Sequence, residues 1–417
     1  MTNRERSPRT RLAFAKRLLA TATLLLLLGA VATAEDWPQF RGVNRDGISE
    51  EKGLLKKWPA SGPELLWQYD ALGDGYASAA VVGDRVYSAG SRGGQAVVTA
   101  LDTAGKKLWE RPFGRSGNGG GYPGTRSTPT VDGDHLYILS DEGDLACLKT
   151  ADGAVVWSKN ILETYGARNT RWKLAESILV DGDRVICSPG GRASMVALDK
   201  KTGEEVWAAD PVDAVTGYAS AIIVDYKGLK QIVGHSAANV FGVRADDGEL
   251  LWTQPQKNRF DVNATSIVFD KGIVFSSCGY GQGSQAIRLA VSGKKVKAKQ
   301  LWDNRDLDDH FGGVVLLKGV VYGTPTKGSL MAIKLDSGSV GFRSRDVGKS
   351  SNIYADGRLY CQGHDGRIQL VDPSNGKVIS MFSETPARPK QLWAHPSIAN
   401  GVLYVRNGGV LKAFKIK

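Results

Sequence analysis

Eight polar or charged residues recur along this chain at one matching position per repeat: Tyr76, Arg126, Glu176, Tyr218, Asn263, His310, Lys349 and His395. Each is followed within two residues by a small one, Ser, Thr or Gly, that leads into an apolar run. Brought together, they would make a ring of two phenols, two imidazoles, two cations, an amide and a carboxylate. Such a ring can hold a polar ligand. It can equally be a hydrated channel mouth whose charges pair with one another. The Ser/Thr column behind it reads as small side chains narrowing a crowded axis. Other chemistry is thinly represented. The run DNRDLDDH (303–310) offers oxygens for Ca²⁺, but it lacks the Gly and terminal Glu of an EF-hand loop and reads as a solvated turn. The loop RSGNGGGYPG (115–124) has no Gly-Lys-Ser/Thr and no helical pattern after it, so it is a flexible loop rather than a phosphate cradle. The five His show no H-x-x-x-H spacing for zinc, and no G-x-S-x-G nucleophile motif occurs.

The elements that must position these residues are written as a refrain. ALDTAGKKLW (100–109), CLKTADGAVVW (147–157), ALDKKTGEEVW (197–207) and GVRADDGELLW (242–252) repeat at a period near 45 residues. A stretched copy runs from Gly293 to Trp302, and worn copies keep Gly338/Phe342 and Gly376/Ser380. A second refrain marks eight hairpins: GDRVY, GDHLY, GDRVI, LKQIV, KGIVF, KGVVY, DGRLY and NGVLY. Each repeat thus supplies four short antiparallel strands. The expected fold is all-β, an eight-bladed β-propeller of four-stranded antiparallel blades spanning 64–417. The last copy ends at LKAFKIK with no Trp strand of its own. ELLWQY (64–69) is the missing piece, so the N-terminal strand is expected to complete the eighth blade and close the ring. Trp67, Trp109, Trp157, Trp207, Trp252, Trp302 and Phe342 are expected to dock each outer strand against the next blade, each burying roughly 150–250 Å². The interface should be weaker where Phe342 and Ser380 replace Trp.

Residues 1–34 read as a leader rather than as fold. Arg4, Arg6, Arg9, Arg11, Lys16 and Arg17 precede the apolar stretch LLATATLLLLLGAVATA, and Ala32-Thr33-Ala34 forms an A-x-A cleavage site. No twin-Arg pair occurs, and no Cys follows for lipid attachment. The expected product is an exported chain, periplasmic or extracellular, with no transmembrane span after cleavage, a lead-in segment at 35–63, and a monomeric state. The whole chain carries a formal charge of +11, and 48 basic against 42 acidic side chains remain beyond residue 34. With no Lys/Arg run interleaved with aromatics, nucleic-acid binding has no support. Cys147, Cys187, Cys278 and Cys361 lie in strand-like runs of different repeats without C-x-x-C spacing, and read as buried free thiols.

The A-L-D-x-x-T-G-x-x-x-W phrase resembles the tryptophan-docking motif of the PQQ-like, quinoprotein-type β-propeller family. That family includes the pyrroloquinoline quinone (PQQ) dehydrogenases and the non-enzymatic outer-membrane assembly factor BamB. The opening DWPQFRGVNRDGIS (36–49) is similar to the lead-in of secreted PQQ-like repeat proteins. The resemblance implies two functions. One is an exported non-catalytic scaffold that offers loops or edge strands to a protein or cell-envelope partner, with no cofactor. The other is a PQQ- and Ca²⁺-dependent alcohol or sugar dehydrogenase. By likeness to the dehydrogenases, Glu176, Asn263 and Asp309 would hold Ca²⁺, Asp309 would be the base, and Lys349 or Arg126 would bind the quinone oxygens. The chain departs from both relatives. It lacks the adjacent Cys pair and the length of many dehydrogenases, and it lacks the lipid-bearing Cys of the assembly factor.

Overall fold

A computed structural model describes residue 1 and residues 35–311, 313–386 and 392–417. The expected leader and its cleavage step therefore lie outside the described residues, residue 1 excepted. From residue 64 onward the chain is an eight-bladed β-propeller of four-stranded antiparallel sheets, with one five-residue helix among the described residues, Ile161–Tyr165, between the second and third blades. In chain order the blades occupy 80–115, 130–160, 179–208, 222–255, 268–304, 315–344, 350–383 and 397–415. The eighth is completed by Glu64–Tyr69, which pairs antiparallel with Val410–Lys415. Ring closure by the N-terminal strand is thus observed, and it gives the last blade its fourth strand and ties the two ends of the ring together.

Local chemistry explains the strands. In the inner hairpins of blades one to three a Gly-Asp pair turns the chain, with positive φ at Gly83, Gly133 and Gly182. The remaining five place positive φ at two successive residues, as at Lys227-Gly228 and Asn400-Gly401, the pattern that matches the twist of a two-residue hairpin. In the outer hairpins the refrain's Asp closes the turn. Asp199 Oδ1 accepts the backbone N–H of Lys201 and of Thr202, each at 2.9 Å. The aromatic then stands opposite a small residue: Trp109 pairs with Ala100, Trp207 with Ala197 and Trp302 with Ala286.

The glycine of each refrain has a second job, because the preceding blade's aromatic lies on it. A Cβ added at Gly105, Gly153, Gly203, Gly248, Gly338 or Gly376 would come within 2.4–2.8 Å of Trp67, Trp109, Trp157, Trp207, Trp302 or Phe342 respectively. The Trp67, Trp109, Trp157, Trp207 and Trp302 indoles also donate to a backbone carbonyl of that next blade, at 2.8–3.2 Å. Trp252 differs. Its indole N–H turns back to Gln231 Oε1 of its own blade, and Gly293 has nothing above it. The fifth blade's outer hairpin is extended to Gly283–Ser292 and Lys295–Asn304, which moves its turn away from Trp252. At Ser380 the missing ring is replaced from elsewhere. Trp58 of the lead-in donates its backbone N–H to Ser380 Oγ and packs on Tyr360 and Phe382 at 5.8 and 5.3 Å. The four cysteines are buried and free, each in a different blade.

The Ser/Thr column does more than narrow the axis. Ser78 N–H donates to Thr128 Oγ1, Thr128 N–H to Ser177 Oγ, and Ser177 N–H to Ser220 Oγ, all at 2.9–3.0 Å. These bonds tie the first four blades edge to edge at the hub, where backbone groups have no strand partner.

Candidate functional site

The lead-in decides the shape of the centre. Trp37 bridges Val81 of the first blade, and Pro38 O accepts from Val131 of the second. Arg45 reaches Ser177 O and Ile178 O of the third blade, at 2.6 and 2.9 Å. Arg41 donates to Val314 O, Asn352 O and His395 Nδ1 of the sixth, seventh and eighth blades. Ile48–Ser49 then joins the seventh blade as a fifth, parallel strand. Residues 37–49 therefore lie across the axis, and both guanidinium groups are buried, 1% and 4% exposed. Burial lowers the pKa of each to about 10, still charged at neutral pH.

Above this segment is a cavity of about 330 Å³, with Phe40 of the lead-in among its walls. Tyr76, Arg126, Tyr218, His310, Lys349 and His395 line it. Aromatic rings from the long connections between blades fill the rest. Trp393 packs against Tyr76 at 5.1 Å and against Tyr122 at 4.8 Å. A second run passes from Tyr280 to His310 at 4.6 Å, to Phe311 at 5.9 Å and to His364 at 6.2 Å. Trp172 adds its face, under the guanidinium of Arg171 at 4.7 Å. The GYAS phrase at 75–78 and 217–220 places Tyr76 and Tyr218 in the same cavity from blades one and four.

Electrostatics are one-sided. Among the described residues, no side chain lining the cavity is an acid or an amide. Lys349 Nζ lies 4.8 Å over the Phe311 ring and donates to His310 Nδ1. Burial brings its pKa down to about 8, against the opposing pull of Asp309 and Asp308. His310, pushed to about 3 by burial and by Lys349, is neutral, so its proton sits on Nε2 and is shared with Tyr280 Oη at 2.8 Å. His395 is neutral for the same first reason, burial, reinforced by Arg41. Arg126 spends two N–H groups on Gly124 O and Tyr122 O and sits 5.6 Å over Tyr76.

Glu176, Asn263 and Asp309 are absent from this lining. Glu176 accepts from Ser188 N–H and Oγ at 2.8 and 3.1 Å, beside Arg45. Asn263 Nδ2 donates to Ser236 O and Ala237 O, while its Oδ1 accepts from Asn258 and faces Cys278 Sγ. Asp309 Oδ2 accepts from Thr324 N–H at 3.3 Å, and its charge is met by Arg41 and Lys349. Ca²⁺ takes six to eight free oxygens. Three oxygen donors already bonded within the chain and outside the cavity lining do not fit that ion or a base working beside it. The residues that sequence reasoning passed over are the loop aromatics Tyr122, Trp172, Tyr280, Phe311 and Trp393. Their signal was large rings in connections otherwise built of Gly, Asn and Arg.

Burial also sets a pH dependence. It raises the Glu176 carboxyl to about 7 in the fold, from an ordinary 4.5. The protonated form is the one the fold favours, so this contribution is complete below 4.5 and is lost as pH rises through 7. Urea unfolding at about pH 5 and about pH 8 should show the wild type losing on the order of 3 kcal/mol more than Glu176→Gln across that interval. Parallel slopes in the two proteins would contradict the assignment.

Comparison with known proteins agrees with this fold. The model of the family described as outer membrane protein assembly factor BamB matches residues 94–344. The chain belongs to that family. Among curated relatives, BamB of Moranella endobia is 24% identical over 287 residues, 65% of this chain and 70% of that protein. BamB of Yersinia pestis is 24% identical over 403 residues, 92% and 85% of the two. Of solved structures, BamB from Moraxella catarrhalis superposes with a TM-score of 0.62 at 16% identity, covering 85% of this chain and 98% of that one. The quinohemoprotein alcohol dehydrogenase of Comamonas testosteroni gives 0.67 at 13%, covering 93% and 81%. At these identities the structural likeness establishes the fold alone.

Proposed function

We propose that this chain is an exported, non-catalytic β-propeller acting as a protein-binding scaffold in the cell envelope. Its curated relatives carry the name of an outer-membrane assembly factor, and the partner class it would serve is protein. The observation that carries the reading is that Glu176, Asn263 and Asp309 lie outside the cavity lining and are bonded within the chain, to Ser188, to Ser236 and Ala237, and to Thr324. The oxygens on which a quinone-and-Ca²⁺ site would depend are already taken by hydrogen bonds inside the chain. The outer strands suit contact with a partner chain: Leu65, Leu108, Val155, Val206 and Met381 are exposed there, on strands that pair on one side only. No helix among the described residues is long and apolar enough to cross a membrane.

The test has two arms. Deleting the gene in its source organism is expected to lower the level of folded outer-membrane β-barrel proteins, with recovery on re-expression. Unchanged levels would sink the scaffold reading. In the second arm, equilibrium titration of the purified protein with PQQ is expected to show no Ca²⁺-dependent binding. Tight Ca²⁺-dependent binding that disappears in Glu176→Ala would instead favour the dehydrogenase.

A further inference from the structure

The geometry points to a second property of the mouth cavity: it is a metal-independent binding site for a single aromatic ring bearing a carboxylate, with the ring among Trp393, Tyr76 and Tyr280 and the carboxylate on Lys349. This site goes beyond the scaffold reading and stands whether or not that reading does.

Five observations carry it. The walls are mostly ring faces and edges, which stack on flat apolar groups. The charges presented to the cavity are cations, Lys349 and Arg126, and the acids that act on them, Asp309 and Asp308 on Lys349 and Asp141 on Arg126, are not among its lining residues. His310 Nδ1 takes one of the three N–H bonds of Lys349 and fixes the direction of the ammonium, while the Phe311 ring lies beneath it. Arg126 is fixed by Gly124 O and Tyr122 O, so it adds positive potential and holds the Tyr122 wall. Finally, the volume of about 330 Å³ is at the small end of ligand cavities, which run from roughly 300 to 1,000 Å³. That suits one ring rather than a fused tricycle.

The alternative occupant of an aromatic cavity is a sugar, and the lining argues against it. A sugar presents hydroxyls all round its ring, each needing a partner once it leaves water. Binding sites answer with acids and amides, and none lines this cavity among the described residues. An aromatic acid has one polar end, and one ammonium satisfies it with a charge-assisted hydrogen bond. The same chemistry has two sources: the C-terminal residue of a polypeptide, and a free aromatic acid.

The experiment is a calorimetric titration of the purified, EDTA-treated protein, with tryptophan fluorescence as a second readout because Trp172 and Trp393 line the cavity. The probes are N-acetyl-phenylalanine, its amide, phenylacetate and glucuronate. At least one of the two aromatic acids should saturate the site. The amide should bind at least about tenfold more weakly than N-acetyl-phenylalanine. Glucuronate should not compete. Lys349→Gln should weaken the acids by a similar factor and leave the amide unchanged, a split that a general folding defect does not produce. Trp393→Leu should weaken acid and amide alike. A preference for N-acetyl-phenylalanine over phenylacetate assigns the site to chain termini, and the reverse assigns it to free acids. Equal binding of acid and amide, stronger binding of glucuronate, no saturation by either acid below about 1 mM, or an unaffected Lys349→Gln would each overturn the proposal.

Discussion

Replacing Arg41 with Ala is expected to lower the free energy of unfolding by about 3–5 kcal/mol, although residue 41 belongs to no blade. Its guanidinium is 1% exposed and is held by Asp46 O, Val314 O, Asn352 O and His395 Nδ1. Removing it leaves three buried carbonyls and His395 Nδ1 without their donor and takes away a positive charge that acts on buried Asp309, and leaving such groups uncompensated costs more than the contacts themselves were worth. Arg41→Lys should recover little of the loss, because one ammonium cannot span partners on three blades as a planar fork does. Urea unfolding of the two variants measures both effects. A loss below about 1 kcal/mol for Arg41→Ala would show that water replaces the guanidinium at the hub.

Trp207→Ala should be as costly, about 3–5 kcal/mol. The indole is 7% exposed, donates to Ala245 O at 3.2 Å, and covers Gly248 of the next blade. The partner glycine gives the sharper contrast. A Cβ at Gly248 would meet the Trp207 ring at 2.5 Å, whereas a Cβ at Gly293 meets nothing within 4 Å. Both glycines have positive φ, at 75° and 58°, so Ala carries a similar backbone strain of roughly 1–2 kcal/mol in each. The overpacking falls on Gly248→Ala alone and should add about 1–3 kcal/mol. Equal losses in the two Ala variants would mean that the docking contact contributes nothing beyond the turn.

These two results bear on different parts of what the sequence discloses. The Trp207/Gly248 contact follows a phrase that the chain repeats, and a repeat announces its own geometry: the same spacing must solve the same packing problem in each blade. For that reason blade count, strand order and ring closure by ELLWQY were all legible. The exception, Trp252, follows from a local insertion in the fifth blade whose consequence is steric and shows only when the next turn is seen to have moved away. Arg41 and Arg45 are the opposite case. They occur once, outside the repeat, in a stretch whose composition suggested only a lead-in, and their partners lie up to 354 and 133 residues further along the chain.

The candidate site divides in the same way. Sequence periodicity was enough to bring Tyr76, Arg126, Tyr218, His310, Lys349 and His395 to one mouth, because each precedes an inner strand and all inner strands face one axis. It was not enough to tell which oxygens remain free. Glu176 and Asn263 occupy the same register and Asp309 stands one residue ahead of it, yet all three lie outside the cavity lining, bonded to Ser188, to Ser236 and Ala237, and to Thr324. Periodicity determines where a backbone goes. Tertiary structure alone decides what each buried polar group bonds to, since that depends on groups brought close by the fold from distant sequence, and burial makes every such partnership close to obligatory.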